Sequence, residues 1–227
     1  YSLGAGGVAT GSINVITLNM NRLVQQNRNL SEEVRKIHRY QVAFRKLIEE
    51  YKAGGLLPVY DAGFISLDKQ FLTIGINGMV EAAEYLGIAP TNNEQYKDFV
   101  RHHLKIIYEE NRKAREVYRY MFNTEFVPAE NLGVKNALWD KKDGLFSPRE
   151  CYNSYFYAVE DTQVNALDKI ILHGKEIIQY LDGGSALHLN LEETPNKEGF
   201  LKLLNATALA GCNYFCFNIR ITICNEC

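Results

Sequence analysis

Apolar and polar positions along the chain mark out alternating elements. A small, Gly-rich stretch (Gly4, Gly6, Gly7) precedes the run Ser12 to Leu18, which reads as a buried strand. Leu30-Ser31-Glu32-Glu33-Val34 then opens a helix, with Ser31 as candidate N-cap and acids in the first turn. Leu30, Val34, Ile37, Gln41, Phe44, Ile48 and Tyr51 recur at steps of three and four, so one apolar stripe is expected until Gly54-Gly55 ends the helix. Val59 to Leu67 reads as an extended segment and turn. Leu72 to Gly78 leads into a short helix from Met79 to Leu86, stopped by Gly87 and Pro90.

The second half continues the alternation. Asn93 to Met121 is a long helical stretch whose charges, Lys105, Glu109, Glu110, Arg112, Lys113, Arg115 and Glu116, form a solvated face. Thr124 to Val127 and the aromatic run Tyr152 to Val159 read as strands. Asn165 to Tyr180 reads as a helix, Gly183-Gly184 as a turn and Ser185 to Leu191 as a strand. A helix over Lys197 to Ala210 precedes a strand or hairpin over Asn213 to Ile223. Strands alternating with helices predict an α/β fold with parallel pairing.

Composition narrows the class. The 227 residues fit one large domain or two small ones, and 46% apolar with 23% charged residues supports a sizeable core. A net charge of -2 carries no electrostatic footprint for nucleic acid. No apolar run reaches the roughly 18 residues of a membrane span, and no leader is visible. The expectation is a cytoplasmic protein with no membrane and no nucleic-acid partner. Tyr1 is not a natural start, so a leader or a whole domain could precede it.

Of five cysteines, Cys212, Cys216, Cys224 and Cys227 crowd the last residues, which suggests metal or redox chemistry and not a disulfide scaffold. Cys224-x-x-Cys227 has the spacing for two thiolates on one tetrahedral zinc, but a structural site takes four ligands. A dithiol redox pair, or two unliganded cysteines, fits the same spacing. Extended chain would hold Cys216 roughly 25 Å from Cys224 unless it turns back.

Three further places carry candidate chemistry. Glu130 follows Pro128 at the tip of a strand-like run, where catalytic groups of α/β folds sit, although a helix-start or surface Glu gives the same pattern. Asn19 directly follows the first strand and either points an amide into a cleft or caps the turn. Gly183-Gly184 permits close backbone approach or simply a turn, and His188 reads as a core histidine. His102 and His103 lie on the charged helix and receive no role. No Walker A loop, GxGxxG, HExxH or GxSxG motif is present, which removes the commonest nucleotide-hydrolase, dehydrogenase, zinc-protease and serine-hydrolase readings.

The order of these signals is more specific than any one of them. GSINVITLN, LTIGINGMVEA, VPAENL, YNSYF, DGGSALHL, NYFCFN and ICNEC follow one another along the chain. This order resembles anaerobic (class III) ribonucleoside-triphosphate reductases, from end to end. The resemblance implies part of the ten-stranded α/β barrel shared by glycyl-radical enzymes and ribonucleotide reductases. Residues 1-223 would belong to the catalytic barrel, and 224-227 would begin a C-terminal zinc-binding region.

The implied reaction reduces ribonucleoside triphosphates to deoxyribonucleoside triphosphates. A glycyl radical, installed by an iron-sulfur S-adenosylmethionine activase, oxidises a cysteine whose thiyl attacks the ribose. Formate or a glutaredoxin- or thioredoxin-like dithiol protein supplies electrons. Nucleotide effectors and a homodimer are also implied. By the resemblance, Asn19 would hydrogen-bond the ribose hydroxyls and Glu130 would be the general base, with a pKa raised by burial. Cys224 and Cys227 would be the first half of the zinc site.

None of the five cysteines matches the radical-bearing one, which is expected before Tyr1. The second zinc pair and the glycine are expected after Cys227, so the chain reads as one stretch of a longer enzyme. Cys151, Cys212 and Cys216 receive no role. Two other readings compete. A zinc-stabilised binding module would hold metal without binding ribonucleotide. A glycyl-radical enzyme of the acyl-lyase kind is disfavoured by the zinc half-site.

Overall fold

The first strand, β1 (Gly11–Asn19), lies beside β2 (Gln70–Asn77), and β2 beside β3 (Met121–Glu125), all parallel. These elements come from a computed structural model that describes residues 10–126, 129–159, 164–191 and 193–219. Parallel neighbours require crossovers, and helices supply them. After β1 come α1 (Met20–Gln25), α2 (Leu30–Ala53) and the one-turn α3 (Pro58–Asp61); after β2 come α4 (Met79–Tyr85) and α5 (Glu94–Tyr118).

Both long helices cover the same face of the sheet. Leu72, Ile74 and Ile76 of β2 are fully buried there, packed with Val34, Ile37 and Val42 of α2 and with Val100, Leu104 and Ile107 of α5. Side chains alternate along a strand, so Thr73, Gly75 and Asn77 face the other way. That second face is polar. Thr73 Oγ1 donates to Asn123 Oδ1 at 2.6 Å and shares a 2.5 Å hydrogen bond with Ser12 Oγ.

A second parallel pair, β4 (Leu187–Leu191) and β5 (Phe215–Ile219), is joined by α9 (Lys197–Ala210). Between β3 and β4 lie α6 (Glu130–Lys142), α7 (Ala166–Leu172) and α8 (Lys175–Ile178). A parallel bridge from Glu125 to Gly184, with Gly183 N–H donating to Thr124 O at 2.9 Å, ties the approach to β4 onto β3. The described residues thus form a mixed α/β fold with two small parallel sheets.

Several expectations need correction. Asn29, not Ser31, caps α2, and its Oδ1 accepts from Glu32 N–H. The buried stripe of α2 follows Leu30, Val34, Ile37 and Gln41 as expected and then turns to Arg45, leaving Phe44 and Tyr51 exposed. The polar pair is buried because backbone carbonyls receive it: Gln41 Nε2 donates to Thr73 O and Arg45 to Leu67 O, both at 2.7 Å. Glu110 is buried and paired with Arg35 and Lys113 instead of solvated.

Val59 to Leu67 contains helical turns. The stretch from Asn165 to Tyr180 is two short helices, broken at Gly174, where a Cβ would lie 2.9 Å from Ile171 O and Ala210 O. Tyr152 to Val159 forms no strand, because its polar groups bond the strand ends and loops described below. The helix start that the pattern at Glu130 also fits is the one observed, opening α6, whose extent the sequence pattern does not mark.

A side chain at Gly183 would place Cβ 2.8 Å from Thr124 O and 2.9 Å from Glu125 Cβ. Gly183→Ala is therefore expected to lower stability by roughly 1–3 kcal/mol, the usual cost of forcing extra bulk into packed structure. A denaturant melt checks this; an unchanged midpoint would show that the contact relaxes freely.

Candidate active site

Asn19 and Asn77 are register partners, and each is the last residue of its strand. The carboxyl ends of parallel strands are where α/β folds bind ligands. Helix α6 lies against this edge through two residues one turn apart, which share a helix face. Asn136 Nδ2 donates to Asn77 Oδ1 at 2.8 Å. Asp140 accepts from Asn19 Nδ2 at 3.1 Å on each of its oxygens.

Asp140 is completely buried and serves as a hub. Arg22 Nε reaches it at 2.6 Å, Asn21 Nδ2 at 3.0 Å and the Tyr152 hydroxyl at 3.0 Å. The Asp140 contact raises the pKa of Arg22, and burial pushes the Tyr152 hydroxyl up to about 12, so both stay protonated donors. Asn19 does double duty here. Its Oδ1 accepts from Arg22 N–H and caps α1. The oxygens of one carboxylate lie too close together to take separate amide hydrogens. A single N–H of Asn19 shared between them accounts for both contacts.

Tyr152, Asn153 and Ser154 strap α6 to the strand ends. Asn77 Nδ2 donates to the carbonyls of Tyr152 (3.3 Å) and Asn153 (3.2 Å), and Gly78 N–H donates to Asn153 O at 3.0 Å. Tyr152 N–H donates to Gly133 O, and Ser154 Oγ accepts from Ala129 N–H, both at 3.2 Å. The strap passes so close to α6 that a Cβ at Gly133 would lie 2.6 Å from Tyr152 O. Glu81, completely buried, anchors it from α4 by accepting from Asn153 N–H at 2.9 Å and from Arg149 at 2.5 Å.

Glu130 is the first residue of α6, so these contacts set its backbone at the strand edge; its side chain is outside the described part. Cys224 and Cys227 also lie outside the described residues. Among the described residues no three His, Cys, Asp or Glu side chains are grouped to hold a metal ion. Cys212 is part-buried, its thiol pushed up to about 11 by burial, and it donates to the carbonyls of Ile170 and His173. His188 is only half-buried, beside the Tyr155 ring on β4, so it is no core histidine. Among the described residues His38 and His173 are buried; His173 shares a 3.0 Å hydrogen bond with Ser185 Oγ and is pushed down to about 4 by burial.

Two site residues escaped the sequence reading. Asp140 lies on a helix whose polarity is inverted: Asn136 and Asp140 are buried while Val134, Leu138 and Trp139 are exposed. The available signal was that pair of polar residues at i, i+4 in the run after Glu130. Glu125, at the end of β3, is 1% exposed, and burial pushes its carboxyl up to about 7.

The family model for anaerobic ribonucleoside-triphosphate reductase matches residues 3–227. The chain belongs to that family. Among solved structures, the anaerobic ribonucleotide reductase from Thermotoga maritima in complex with dATP and CTP is 30% identical, with a TM-score of 0.89, over 99% of this chain and 39% of that one. The same enzyme with glycerol in its active site gives 30% identity and a TM-score of 0.90 over the same shares. Another structure, an anaerobic ribonucleotide reductase, is 31% identical with a TM-score of 0.88, over 96% of this chain and 36% of that one. No curated protein matches the sequence. This reductase-family chain spans about two fifths of the length of the solved relatives it matches.

Asp140→Ala would leave Arg22 without its buried partner and Asn19, Asn21 and Tyr152 short of an acceptor. Arg22 is part-exposed and keeps Asp143, so a loss of roughly 1–3 kcal/mol is expected, the cost of leaving buried donors unsatisfied, read as a fall in thermal midpoint. A shift of a degree or less would remove Asp140 from the centre of the site.

The Glu125 carboxyl predicts a pH dependence. Between its ordinary value and about 7 the folded chain holds a proton that the unfolded chain releases, so stability contributed at Glu125 falls as pH rises through that window. His173 acts oppositely over its own range, because its folded pKa is depressed. Comparison with Glu125→Gln isolates the carboxyl. Denaturation at pH 4.5 and 7.5 should show the variant gaining relative to the parent at the higher pH; equal differences at both would contradict it.

Proposed function

We propose that this chain is a stretch of the catalytic α/β barrel of an anaerobic ribonucleoside-triphosphate reductase, with its reacting nucleotide held at the strand edge of Asn19 and Glu130. The observation that carries this reading is the pairing of Asn19 with α6, the helix that Glu130 opens, through Asp140. The family and the parallel, helix-covered strands support the barrel assignment.

The division of labour follows from the hydrogen-bond inventory. The remaining amide hydrogen of Asn19 donates to a ribose hydroxyl. Glu130 takes the proton of a hydroxyl and returns it when water leaves. Asp140, Arg22 and the Tyr152 strap keep the two at fixed separation, since a small misplacement of reacting groups costs much of the rate. The polar inner face, with bulk water excluded, suits chemistry on reactive species.

The glycyl radical, installed by an S-adenosylmethionine activase, supplies the oxidation of a cysteine elsewhere in the complete enzyme. Cys224 and Cys227 offer two thiolates at zinc-ligand spacing, half of a tetrahedral set. Formate or a dithiol protein as reductant, nucleotide effectors and a homodimer complete the proposal. No helix among the described residues is long and apolar enough to cross a membrane.

In the complete enzyme, Glu130→Gln is expected to lower deoxyribonucleotide formation by roughly 10²–10⁴-fold, the usual contribution of a positioned acid–base group, with zinc content unchanged. Cys224→Ser is expected to reduce zinc content instead. Near-normal turnover in the Gln variant would overturn the role of Glu130.

A further inference from the structure

The inner face of β3 carries two buried side chains that the hub around Asp140 does not use. Asn123 is fully buried and Glu125 is 1% exposed. They are two residues apart on one strand, so their side chains share a face at roughly 6.6 Å spacing. Asn123 Oδ1 accepts from Thr73 Oγ1, but its Nδ2 meets no acceptor among the described residues, and Glu125 Oε2 meets no donor. Buried polar groups are nearly always paired. An orphaned donor beside an orphaned carboxyl oxygen marks the place of a missing polar group that both donates and accepts.

The neighbouring backbone carries glycine on both flanks, and over Gly75 the Thr17 side chain fills the space a Cβ would take, with Oγ1 2.5 Å from it. Gly75 is the register partner of Glu125 on β2. On the other side is Gly183, where a Cβ would lie 2.9 Å from both Asn123 Nδ2 and Glu125 Cβ. Asn19 stands on the same face, since Thr17 pairs with Gly75 and Asn19 with Asn77. Two strand spacings across and two residues along separate Asn19 from Glu125 by roughly 12 Å between Cα atoms.

We propose that Asn123 and Glu125 form a second ribose subsite, in which Asn123 Nδ2 donates to one sugar hydroxyl of the nucleotide and Glu125 Oε2 hydrogen-bonds the other, opposite Asn19. The assignment rests on reading the chain as part of a ribonucleotide-reducing enzyme. Each sugar hydroxyl is both donor and acceptor, so one accepts the Asn123 amide hydrogen while the other donates to the Glu125 carboxyl oxygen. Burial pushes the Glu125 carboxyl up to about 7, which lets its neutral form donate as well.

The test is titration of the complete enzyme with CTP and with 2′,3′-dideoxy-CTP by calorimetry. The parent should bind CTP more tightly than the dideoxy analogue. Glu125→Ala should weaken CTP binding about tenfold, the equivalent of one good hydrogen bond, and leave the dideoxy analogue unchanged. Glu125→Asp keeps the acid but withdraws it by one methylene; it should shift CTP affinity the same way and decides the matter if the Ala variant does not fold. Unchanged CTP affinity, or parallel weakening of both nucleotides, overturns the subsite while the ribonucleotide reading stands. Failure of the parent enzyme to bind CTP overturns both.

Discussion

The buried carboxylate of Asp140 is the constraint on which the rest of the site depends. An uncompensated charge in this position would be expensive, so every group around it must donate. Arg22, Asn19, Asn21 and Tyr152 do so. Those donors come from the end of β1, from α1 and from the strap after α6. One side chain thereby joins segments more than a hundred residues apart in sequence. The separation between Asn19 and the start of α6 becomes a property of a hydrogen-bond network instead of loop lengths.

The sheet has two unlike faces, and this asymmetry organises function. One face is a conventional apolar core against α2 and α5. The other carries Thr73, Asn77, Asn123 and Glu125, all buried. A polar face that is hidden from water stores unsatisfied hydrogen-bonding capacity, and Asn123 Nδ2 and Glu125 Oε2 show where. The glycines serve the same end. Gly133 lets the strap touch α6, and Gly183 lets the chain cross close to β3. Both trade side-chain bulk for backbone proximity at the strand edge.

Helix α6 explains why this arrangement needs its context. Its buried face is polar because it meets strand ends, whose asparagines offer amide partners. Its exposed face carries Val134, Leu138 and Trp139. That distribution is the reverse of an ordinary surface helix. It accords with a chain that spans only part of the length of its solved relatives.

Local patterning was enough to recover β1, α4 and α9 almost to the residue, because apolar runs bounded by Gly or Asn leave few alternatives. The ordered motifs were enough to recognise the family, and Asn19 bonds Asp140 on α6, the helix that Glu130 opens. What the pattern could not convey was which polar residues would be buried. Arg45, Glu110, Asp140 and Glu125 all look solvated in a linear reading. Each is buried because a partner or a packed neighbour arrives from elsewhere in the chain: Leu67 O for Arg45, Arg35 for Glu110, Asn19 for Asp140. The Tyr152 to Val159 run, strand-like by its aromatics, became a strap for the same reason. Hydrophobic periodicity is a local signal that the sequence carries by itself. The burial of polar groups depends on hydrogen-bond partners that only the tertiary structure brings together.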